Sequence, residues 1–461
     1  MIAITVCGQE ATESRPGNRW IEREESCLHL PTKIDMQESF AEENSGYRIL
    51  LVAGTHGLEP TQARSTRVRT LAKELACRGA RVDVLLLVEK PLRAHEEAQI
   101  TSLRGSCHAL QLFYHPVFSS SVYRAWLQTE ELINEKIMRR SQPPGRTRHC
   151  PQQFLRLLQN DYVPRSYVAV MTFGVHLARC LGCFNRWTLK VLDLPYVANA
   201  RHEAHRQHGR EDILTEFAAP EVEMDLFKQA HFISVQSSAD AAQLRQASYL
   251  GDLIHVPISC DEEQNRWRIN AGRVAQTRPQ RILTIASDTI ANLDGLRWFR
   301  RQVFPKIVQS VPTCRLRIVG EAARHIEAGD RIDRIGWLDR LEEEYEHATL
   351  VALPLRMGSG VRRRAVETLT AGRTLVTTEV GARGLELSPM RDAIVLDNPD
   401  ALARQTVEVL TDESKRLVYQ QRGRMIAERY HCPERSIASL CRVLGLPLMR
   451  CATLQPEPTV V

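Results

Sequence analysis

A glycine-rich turn between a buried strand and a helix is the part of this sequence best suited to chemistry. Residues 354–385 read PLRMGSGVRRRAVETLTAGRTLVTTEVGARGL, and the turn consists of Gly358, Ser359 and Gly360, followed by Val361. Small residues at such a turn let a ligand approach backbone N–H groups. The partial positive charge of the helix N-terminus that follows favours an anion there, above all a phosphate.

Cations outnumber anions around this turn. Between residues 356 and 373, a single acid, Glu367, accompanies five arginines: Arg356, Arg362, Arg363, Arg364 and Arg373. Guanidinium groups suit bidentate contacts with phosphate, and a carboxylate accepts hydrogen bonds from sugar hydroxyls. The combination fits a nucleotide-sugar donor, in which cations bind the diphosphate and the carboxylate binds hydroxyl groups.

The order and spacing of these residues resemble the donor-binding signature of the family 4 (group 1) retaining glycosyltransferases, which have the GT-B fold. A glycine between strand and helix occurs in any Rossmann-like repeat, but the match here is long and ordered. The counterparts of the family motif are Pro354, Arg356, Gly358, Ser359, Gly360, Arg364, Glu367, Gly372, Gly381 and Gly384.

The resemblance implies roles for the residues of the motif. Glu367 would accept hydrogen bonds from donor hydroxyls, on the ribose in the first instance. Relatives often carry a second glutamate eight residues earlier, where this chain has Ser359, which can bond a sugar hydroxyl or cap the helix. The family's usual Arg/Lys pair is absent from residues 287–292, and Arg356 and Arg364 are its expected replacements against the leaving diphosphate.

Further donor contacts are expected outside the motif. The loop from Gly54 to Gly57 would approach the reacting sugar from the other domain, with His56 as a hydrogen-bonding candidate. Gly336 and Trp337 are expected at the edge of the base pocket, and Gly381 and Gly384 in the loop that meets the donor sugar. The candidate catalytic residues are therefore Arg356, Arg364, Glu367 and His56.

The elements around these residues fall into two consecutive sets of alternating strands and helices. Continuous apolar runs such as RILLVA (48–53) and RILTIA (281–286) are typical of strands buried in a parallel sheet. We therefore expect an α/β protein of GT-B type, with two Rossmann-like, doubly wound domains facing a cleft. The expected boundaries are a polar extension (1–46), an acceptor-side domain (47–260), a donor-binding domain (261–430) and a C-terminal helix and tail (431–461).

Composition limits the class of protein. The chain has 461 residues, 43% of them hydrophobic and 25% charged, with a net charge of +6. These values are typical of a globular protein and do not by themselves favour nucleic acid as a partner. No run approaches the roughly 20 apolar residues of a membrane helix, and no basic region precedes the first apolar residues. We expect a cytoplasmic protein, with peripheral contact at the inner face of the cell membrane left open.

The 12 cysteines do not form a strong metal-binding pattern. Cys180 and Cys183 make one CxxC pair, with His176 and the distant His149 and Cys150 as conceivable partners. A single pair without a second is weak evidence for zinc. Because no Asp-x-Asp motif is suitably placed either, we expect a transferase without a metal or other cofactor.

The sequence thus predicts a retaining, metal-independent glycosyltransferase. Its partners would be a nucleotide-sugar donor and a glycan, lipid-linked or protein acceptor, in a pathway such as cell envelope polysaccharide synthesis. Two alternatives stay open. Ser359 and the missing Arg/Lys pair would also suit a non-catalytic GT-B module that binds a nucleotide or a partner protein, and a nucleotide-sugar epimerase can use the same fold.

Overall fold

Two parallel sheets organise the part of the chain that the structure describes. The computed structural model describes residues 47–54, 63–88, 92, 94–115, 150–197, 220–260, 280–338 and 340–448. One sheet has seven strands and the other six, and every pair of neighbouring strands is parallel. We refer to the first sheet with its helices as the N-lobe and to the second as the C-lobe.

The N-lobe sheet has the strand order β3-β2-β1-β4-β5-β6-β7. Its strands are β1 (Arg48–Gly54), β2 (Arg81–Val88), β3 (Ala109–Tyr114), β4 (Ala169–Phe173), β5 (Leu189–Leu194), β6 (Phe232–Val235) and β7 (Asp252–His255). Its helices are α1 (Ala63–Cys77), α2 (Ala94–Arg104), α3 (Gln152–Leu157), α4 (Pro220–Phe227) and α5 (Ser238–Gln246), with a 3₁₀ segment at Val175–Cys183.

The C-lobe sheet has the order β10-β9-β8-β11-β12-β13. Its strands are β8 (Arg281–Ile285), β9 (Arg315–Val319), β10 (Ile332–Ile335), β11 (Leu350–Leu353), β12 (Thr374–Thr377) and β13 (Ile394–Val395). Its helices are α6 (Ile290–Trp298), α7 (Phe304–Ser310), α8 (Glu342–His347), α9 (Arg363–Thr370), α10 (Glu379–Ala382), α11 (Pro399–Thr411) and α12 (Glu413–Tyr430).

Both lobes are doubly wound, since hydrophobic side chains pack on both faces of each sheet. The strand order reverses between β1 and β4 in the N-lobe and between β8 and β11 in the C-lobe. Ligands of such folds bind outside the carboxyl ends of the strands at this reversal. Gly54 ends β1 and residue 354 follows β11, so both predicted donor loops begin at a reversal point.

The sequence pattern predicts a helix from Asp294 to Ser310, and the observed segment differs from it. It begins at Ile290, where the Thr289 side chain accepts a hydrogen bond from the N–H of Asn292, and it contains a π-helical turn at Phe299–Val303. Pro305 has no N–H to donate to the preceding turn, which explains the wider turn before it. Strands β3 and β10 were not predicted, because both are half-buried and lack the continuous apolar runs of the central strands.

The C-terminal helices return to the N-lobe. The sequence predicts one helix from Pro433 to Leu444, and the structure has two short ones, α13 (Pro433–Ser436) and α14 (Ala438–Leu444). Leu440 and Leu444 are buried in the same cluster as Ile49 and Val82 of the N-lobe sheet. The segment expected as a separate C-terminal helix and tail therefore completes the core of the first lobe, as far as residue 448.

His431 lies at the point where the chain crosses between the lobes. Its ring is almost fully buried, and Nδ1 lies 2.7 Å from the carbonyl oxygen of Ile258, to which it donates. Burial lowers the pKa of His431 to about 4. Since an unfolded histidine titrates near 6.5, the unfolded chain binds the extra proton first, and stability falls as the pH drops from about 6.5 towards about 4.

We expect His431→Gln to weaken this acid sensitivity. When the pH falls from about 7.5 to about 5, His431 should lower the free energy of unfolding of the wild type by about 2 kcal/mol. This value follows from about 1.4 kcal/mol for each pKa unit between the folded and the unfolded histidine. Urea unfolding at the two pH values measures the difference, and the surface variant His325→Gln is the control. If the free energy of unfolding changed equally with pH in the two variants, His431 would not be the source of the acid sensitivity.

No helix among the described residues is both long and apolar enough to span a bilayer.

Candidate functional site

The predicted glycine turn lies at the carboxyl edge of the C-lobe sheet and leads into α9. Gly358 and Gly360 have φ values of +120° and +76°, which only glycine adopts readily. The Ser359 side chain is buried, and its Oγ has no hydrogen-bond partner among the described residues. Ser359 therefore does not cap α9, and its hydroxyl is left available for a ligand.

The N-terminus of α9 has the features of an anion site. Its N-cap is Arg362, whose side chain makes no capping hydrogen bond in the part of the chain described. The guanidinium of Arg362 folds over the turn, because a Cβ added to Gly358 would lie 2.4 Å from Arg362 Nη2. An arginine thus covers the turn at the positive end of a helix dipole.

Glu367 lies one turn into α9 and is fully buried between two arginines. Its Oε1 is 2.8 Å from Arg363 Nε and its Oε2 is 2.6 Å from Arg364 Nη1. The hydroxyl of Tyr345 donates to Oε2 from 3.2 Å. The side chains of Arg363 and Arg364 are 10% and 22% exposed, so the cations, not the carboxylate, reach the surface.

The charges of this cluster stabilise one another. Burial by itself raises the pKa of the Glu367 carboxyl, but the positive charges of Arg364 and Arg363 outweigh it, so the pKa lies below its usual value. Burial and then the charge of Glu367 raise the pKa of Tyr345. The carboxylate is therefore ionised and holds the two guanidinium groups in place at the start of α9. We call Arg362, Arg363 and Arg364 the arginine cradle.

The two other arginines that lie near the turn in sequence, Arg356 and Arg373, make different contacts. Arg373 is fully buried in the C-lobe, where Nε donates to the carbonyl oxygen of Tyr345 at the end of α8 over 2.8 Å. Burial lowers its pKa to about 10. Arg373 stabilises a helix end and takes no part in the cradle, although the sequence places it near the turn.

Arg356 faces α6. Its guanidinium carbon is 5.9 Å from the centre of the Trp298 ring, and Nη1 is 3.6 Å from Asp294 Oδ2. The side chain is 42% exposed. The structure thus separates it from the Arg363–Glu367–Arg364 cluster, and its role against the diphosphate stays a prediction.

The N-lobe contributes a wall opposite the turn. A Cβ at Gly360 would lie 2.7 Å from the carbonyl oxygen of Pro195 and 3.3 Å from Cβ of Tyr196, so the two lobes touch here. Just before this segment, at the end of β5, Asp193 forms a buried bidentate ion pair with Arg67 of α1, over 2.6 and 2.7 Å. This pair fixes the N-lobe side of the contact.

The loop after β12 also reaches the N-lobe. Gly381 is buried, and a Cβ there would lie 3.0 Å from the carbonyl oxygen of Leu353. Gly384 has a φ of +76°, and its Cβ would lie 2.6 Å from Cβ of Ser237 and 2.9 Å from Cγ2 of Val361. Gly384 and Val361 of the predicted site are therefore neighbours, at the junction between the lobes.

Gly336 and Trp337 follow β10 at the same edge of the C-lobe sheet. The Gly336 carbonyl accepts a hydrogen bond from the N–H of Gly320 over 3.0 Å, and no described atom lies within 4 Å of the position of a Gly336 Cβ. Strand β10 is three positions from β11, or about 14 Å at the usual strand spacing. The role of Gly336 and Trp337 at the edge of a base pocket stays a prediction.

Gly54 ends β1 at the reversal point of the N-lobe. The predicted residues His56 and Gly57 lie outside the described residues, as does His149 of the conceivable zinc site. Cys150 and Cys180 are buried with their sulfurs 3.7 Å apart. Burial raises the pKa of Cys180 well above its usual value. In the described part of the chain, no group of three or more His, Cys, Asp or Glu side chains could hold a metal ion.

Sequence reasoning missed several site residues because their partners are distant in the chain. Tyr345 is 22 residues from Glu367, and Arg67 is 126 residues from Asp193. The sequence pattern gives no role to Asp193. One local signal could have identified Asp193: it is a charged residue within the strongly apolar run of β5, and such residues are rarely buried without a partner.

Residues 279–412 match the family model described as Glycosyl transferases group 1. This range contains the glycine turn, α9 and the loop after β12, so the predicted resemblance to that group is confirmed for these residues. No curated protein sequence matches the chain.

Solved structures resemble the chain over most of its length. Sucrose-phosphate synthase from Thermosynechococcus elongatus is similar with a TM-score of 0.60 and 16% identity, over 87% of this chain and 98% of its own. HepE from Anabaena in complex with UDP and glucose gives a TM-score of 0.55 and 12% identity, over 86% and 99%. A TarM variant from S. aureus in complex with fondaparinux, α-GlcNAc-glycerol and UDP gives 0.61 and 9%, over 87% and 100%.

At these identities the likeness shows the fold. The two parallel-sheet α/β domains form the GT-B architecture, which confirms the predicted fold class. The group 1 match and the GT-B neighbours together support a glycosyltransferase.

Proposed function

We propose that this protein transfers a sugar from a nucleotide-diphosphate sugar to an acceptor hydroxyl, with retention at the anomeric carbon. The observation that carries the proposal is the arginine cradle: three consecutive guanidinium groups at the N-terminus of α9, two of them held by the buried Glu367. Such a site at the reversal point of a doubly wound sheet suits a diphosphate.

The chemistry follows from the charges. The bond between the anomeric carbon and the phosphate oxygen breaks, and its electron pair leaves with the nucleoside diphosphate. The acceptor oxygen forms the new bond, and its proton passes to a departing phosphate oxygen or to solvent. Fixed cations close to the leaving oxygens lower the barrier without a metal ion, so the cradle supports metal-independent transfer.

Glu367 acts in this proposal through the arginines. Its Oε2 already accepts hydrogen bonds from Arg364 and Tyr345, its Oε1 forms an ion pair with Arg363, and the side chain is fully buried. A contact between Glu367 and the donor ribose would require this cluster to rearrange. The hydroxyl of Ser359, which lies in the turn itself, is the better-placed group for a donor hydroxyl.

The finer assignments rest on analogy. A UDP-sugar is the first donor to test, because the similar HepE and TarM structures are complexes with UDP. The acceptor is proposed to be a glycan or a lipid-linked or protein-bound saccharide of the cell envelope, reached from the cytoplasm at the inner face of the membrane. His56, Gly57, Trp337 and Arg356 are proposed donor contacts.

We expect nucleoside diphosphates to raise the melting temperature. A ligand at 100 times its Kd adds about 2.7 kcal/mol to the stability of the folded protein. Thermal shifts with UDP, GDP and ADP identify the base. Incubation with the matching nucleotide sugars and a panel of acceptors then measures transfer.

The Arg363→Ala variant should lose most of the rise in melting temperature that the nucleoside diphosphate causes. The Arg404→Ala variant should keep it, because Arg404 is an exposed residue of α11. Binding without turnover of any sugar donor would favour the non-catalytic module, and turnover of donor without acceptor or diphosphate release would favour the epimerase. No binding and no turnover would contradict the proposal.

A further inference from the structure

A glutamate of the C-lobe is bound to a helix N-terminus of the N-lobe. Oε1 of Glu386 accepts a hydrogen bond from Ser238 Oγ over 2.5 Å and lies 3.4 Å from the Ser238 backbone nitrogen. Ser238 is the first residue of α5, and Glu386 follows the loop after β12. The negative charge therefore lies at the positive end of the α5 dipole, which is favourable.

The loop that carries Glu386 has a backbone shaped for this contact. Glu386 itself has a φ of +55°, a left-handed conformation that glutamate rarely adopts. Gly384, two residues earlier, has a φ of +76° and packs directly on Ser237, the N-cap of α5. Leu385 between them is fully buried. Unfavourable conformations of this kind persist where surrounding contacts require them, and they occur preferentially at functional sites.

A buried acid of the N-lobe lies close to the same contact. Asp240, in the first turn of α5, is almost fully buried, and its Oδ2 accepts from Ser237 Oγ over 2.7 Å. Its Oδ1 has no hydrogen-bond partner among the described residues. Burial raises the pKa of Asp240, and the positive charges of Arg383 and Arg362 oppose that rise. Both arginines belong to the C-lobe, and Arg362 is part of the cradle.

These contacts link the closure of the lobes to the cradle. The first turn of α5 touches the loop after β12 through Ser237 and Ser238. Gly384 of that loop also packs on Val361, the residue before Arg362 of the cradle. A separation of the lobes would break the Glu386 contact and the packing of this loop on α5.

We propose that Glu386 is a positioning residue, whose carboxylate holds the lobes closed over the donor site through the N-terminus of α5. The expected change in donor KM rests on the proposed function. The closure of the lobes by Glu386 does not depend on that function. Glu386 acts through the position of the lobes and touches neither the sugar nor the diphosphate in this role.

The test compares Glu386→Ala and Glu386→Gln in the full chain with Glu379→Gln, an exposed acid on α10. Small-angle X-ray scattering without ligand should give a larger radius of gyration for Glu386→Ala than for the wild type, with Glu386→Gln between them and Glu379→Gln unchanged. A saturating UDP-sugar should restore the closed radius. The donor KM should rise about 5- to 10-fold with kcat nearly retained, because only the closed fraction binds.

If Glu386→Ala does not fold, Ser238→Ala removes the same hydrogen bond from the other lobe and should give the same pattern. An unchanged radius of gyration together with an unchanged donor KM in the folded variant would overturn the proposal. If no nucleotide sugar binds the wild type, the proposed function fails, while the ligand-free scattering comparison still decides the closure.

Discussion

Glu367→Ala is expected to reduce the free energy of unfolding by about 3–5 kcal/mol. The substitution removes the carboxylate that lies between Arg363 and Arg364 and leaves two nearly buried guanidinium groups on one helix turn. The hydroxyl of Tyr345 loses its acceptor as well. Removing one partner of a buried ion cluster lowers the free energy of unfolding far more than removing one partner of a surface ion pair. The reason is that the remaining charges stay largely shielded from water without a partner.

Urea unfolding measures this loss, and Glu408→Ala is its matched control. Glu408 also pairs with a cation, Lys415, over 2.9 Å, but both side chains are about half exposed. That substitution should cost no more than about 1 kcal/mol. Equal losses in the two variants would show that the Glu367 cluster is not a buried network. Glu367→Gln should lie between the wild type and the alanine variant, since it keeps the shape and loses the charge.

Arg364→Ala is expected to lower kcat for sugar transfer by about 10²–10³, the usual effect of removing one fixed donor that stabilises charge in the transition state. The guanidinium is held by Glu367 at 2.6 Å and is the more exposed of the two cations in the cluster. Arg364→Lys keeps the charge but not the planar fork, so it should recover only part of the rate.

Steady-state rates of nucleoside diphosphate release with a saturating donor measure the effect. Circular dichroism establishes that the variant is folded, and Arg404→Ala on the surface of α11 serves as the control. A rate within about threefold of the wild type would exclude Arg364 from the reaction while leaving the cradle intact as a binding site. Activity lost equally in the surface variant would point to a general loss of fold.

Much of the C-lobe site could be predicted because its residues are close in sequence. The turn at Gly358–Gly360 and the start of α9 are adjacent in the chain, and their glycines and arginines marked them. The pairing of Glu367 with Arg364 was not predicted, because the sequence analysis assigned the two residues to different parts of the donor, although helix geometry brings positions i and i+3 together. Arg373 was misplaced by the same reasoning, because it follows the end of α9 and its side chain turns back to α8.

The contacts between the lobes could not be predicted from local patterns. Ser238 and Glu386 are 148 residues apart, and each is an ordinary polar residue of a loop or helix end in its own context. Asp240 makes a local contact, because its carboxylate accepts a hydrogen bond from Ser237, the N-cap of α5. The buried pair of Arg67 and Asp193 depends equally on contacts between residues distant in the chain. Such pairs are determined by tertiary structure, which the periodicity of a single segment does not contain.

The return of α14 to the first lobe has a consequence for how the protein is made. Ile437, Leu440, Cys441 and Leu444 complete a hydrophobic cluster whose other members include Ile49 and Val82. On the ribosome, these last apolar side chains emerge only after the entire second sheet has been synthesised. The first lobe therefore stays unfinished, with apolar surface open to chaperones, until synthesis has passed through both sheets.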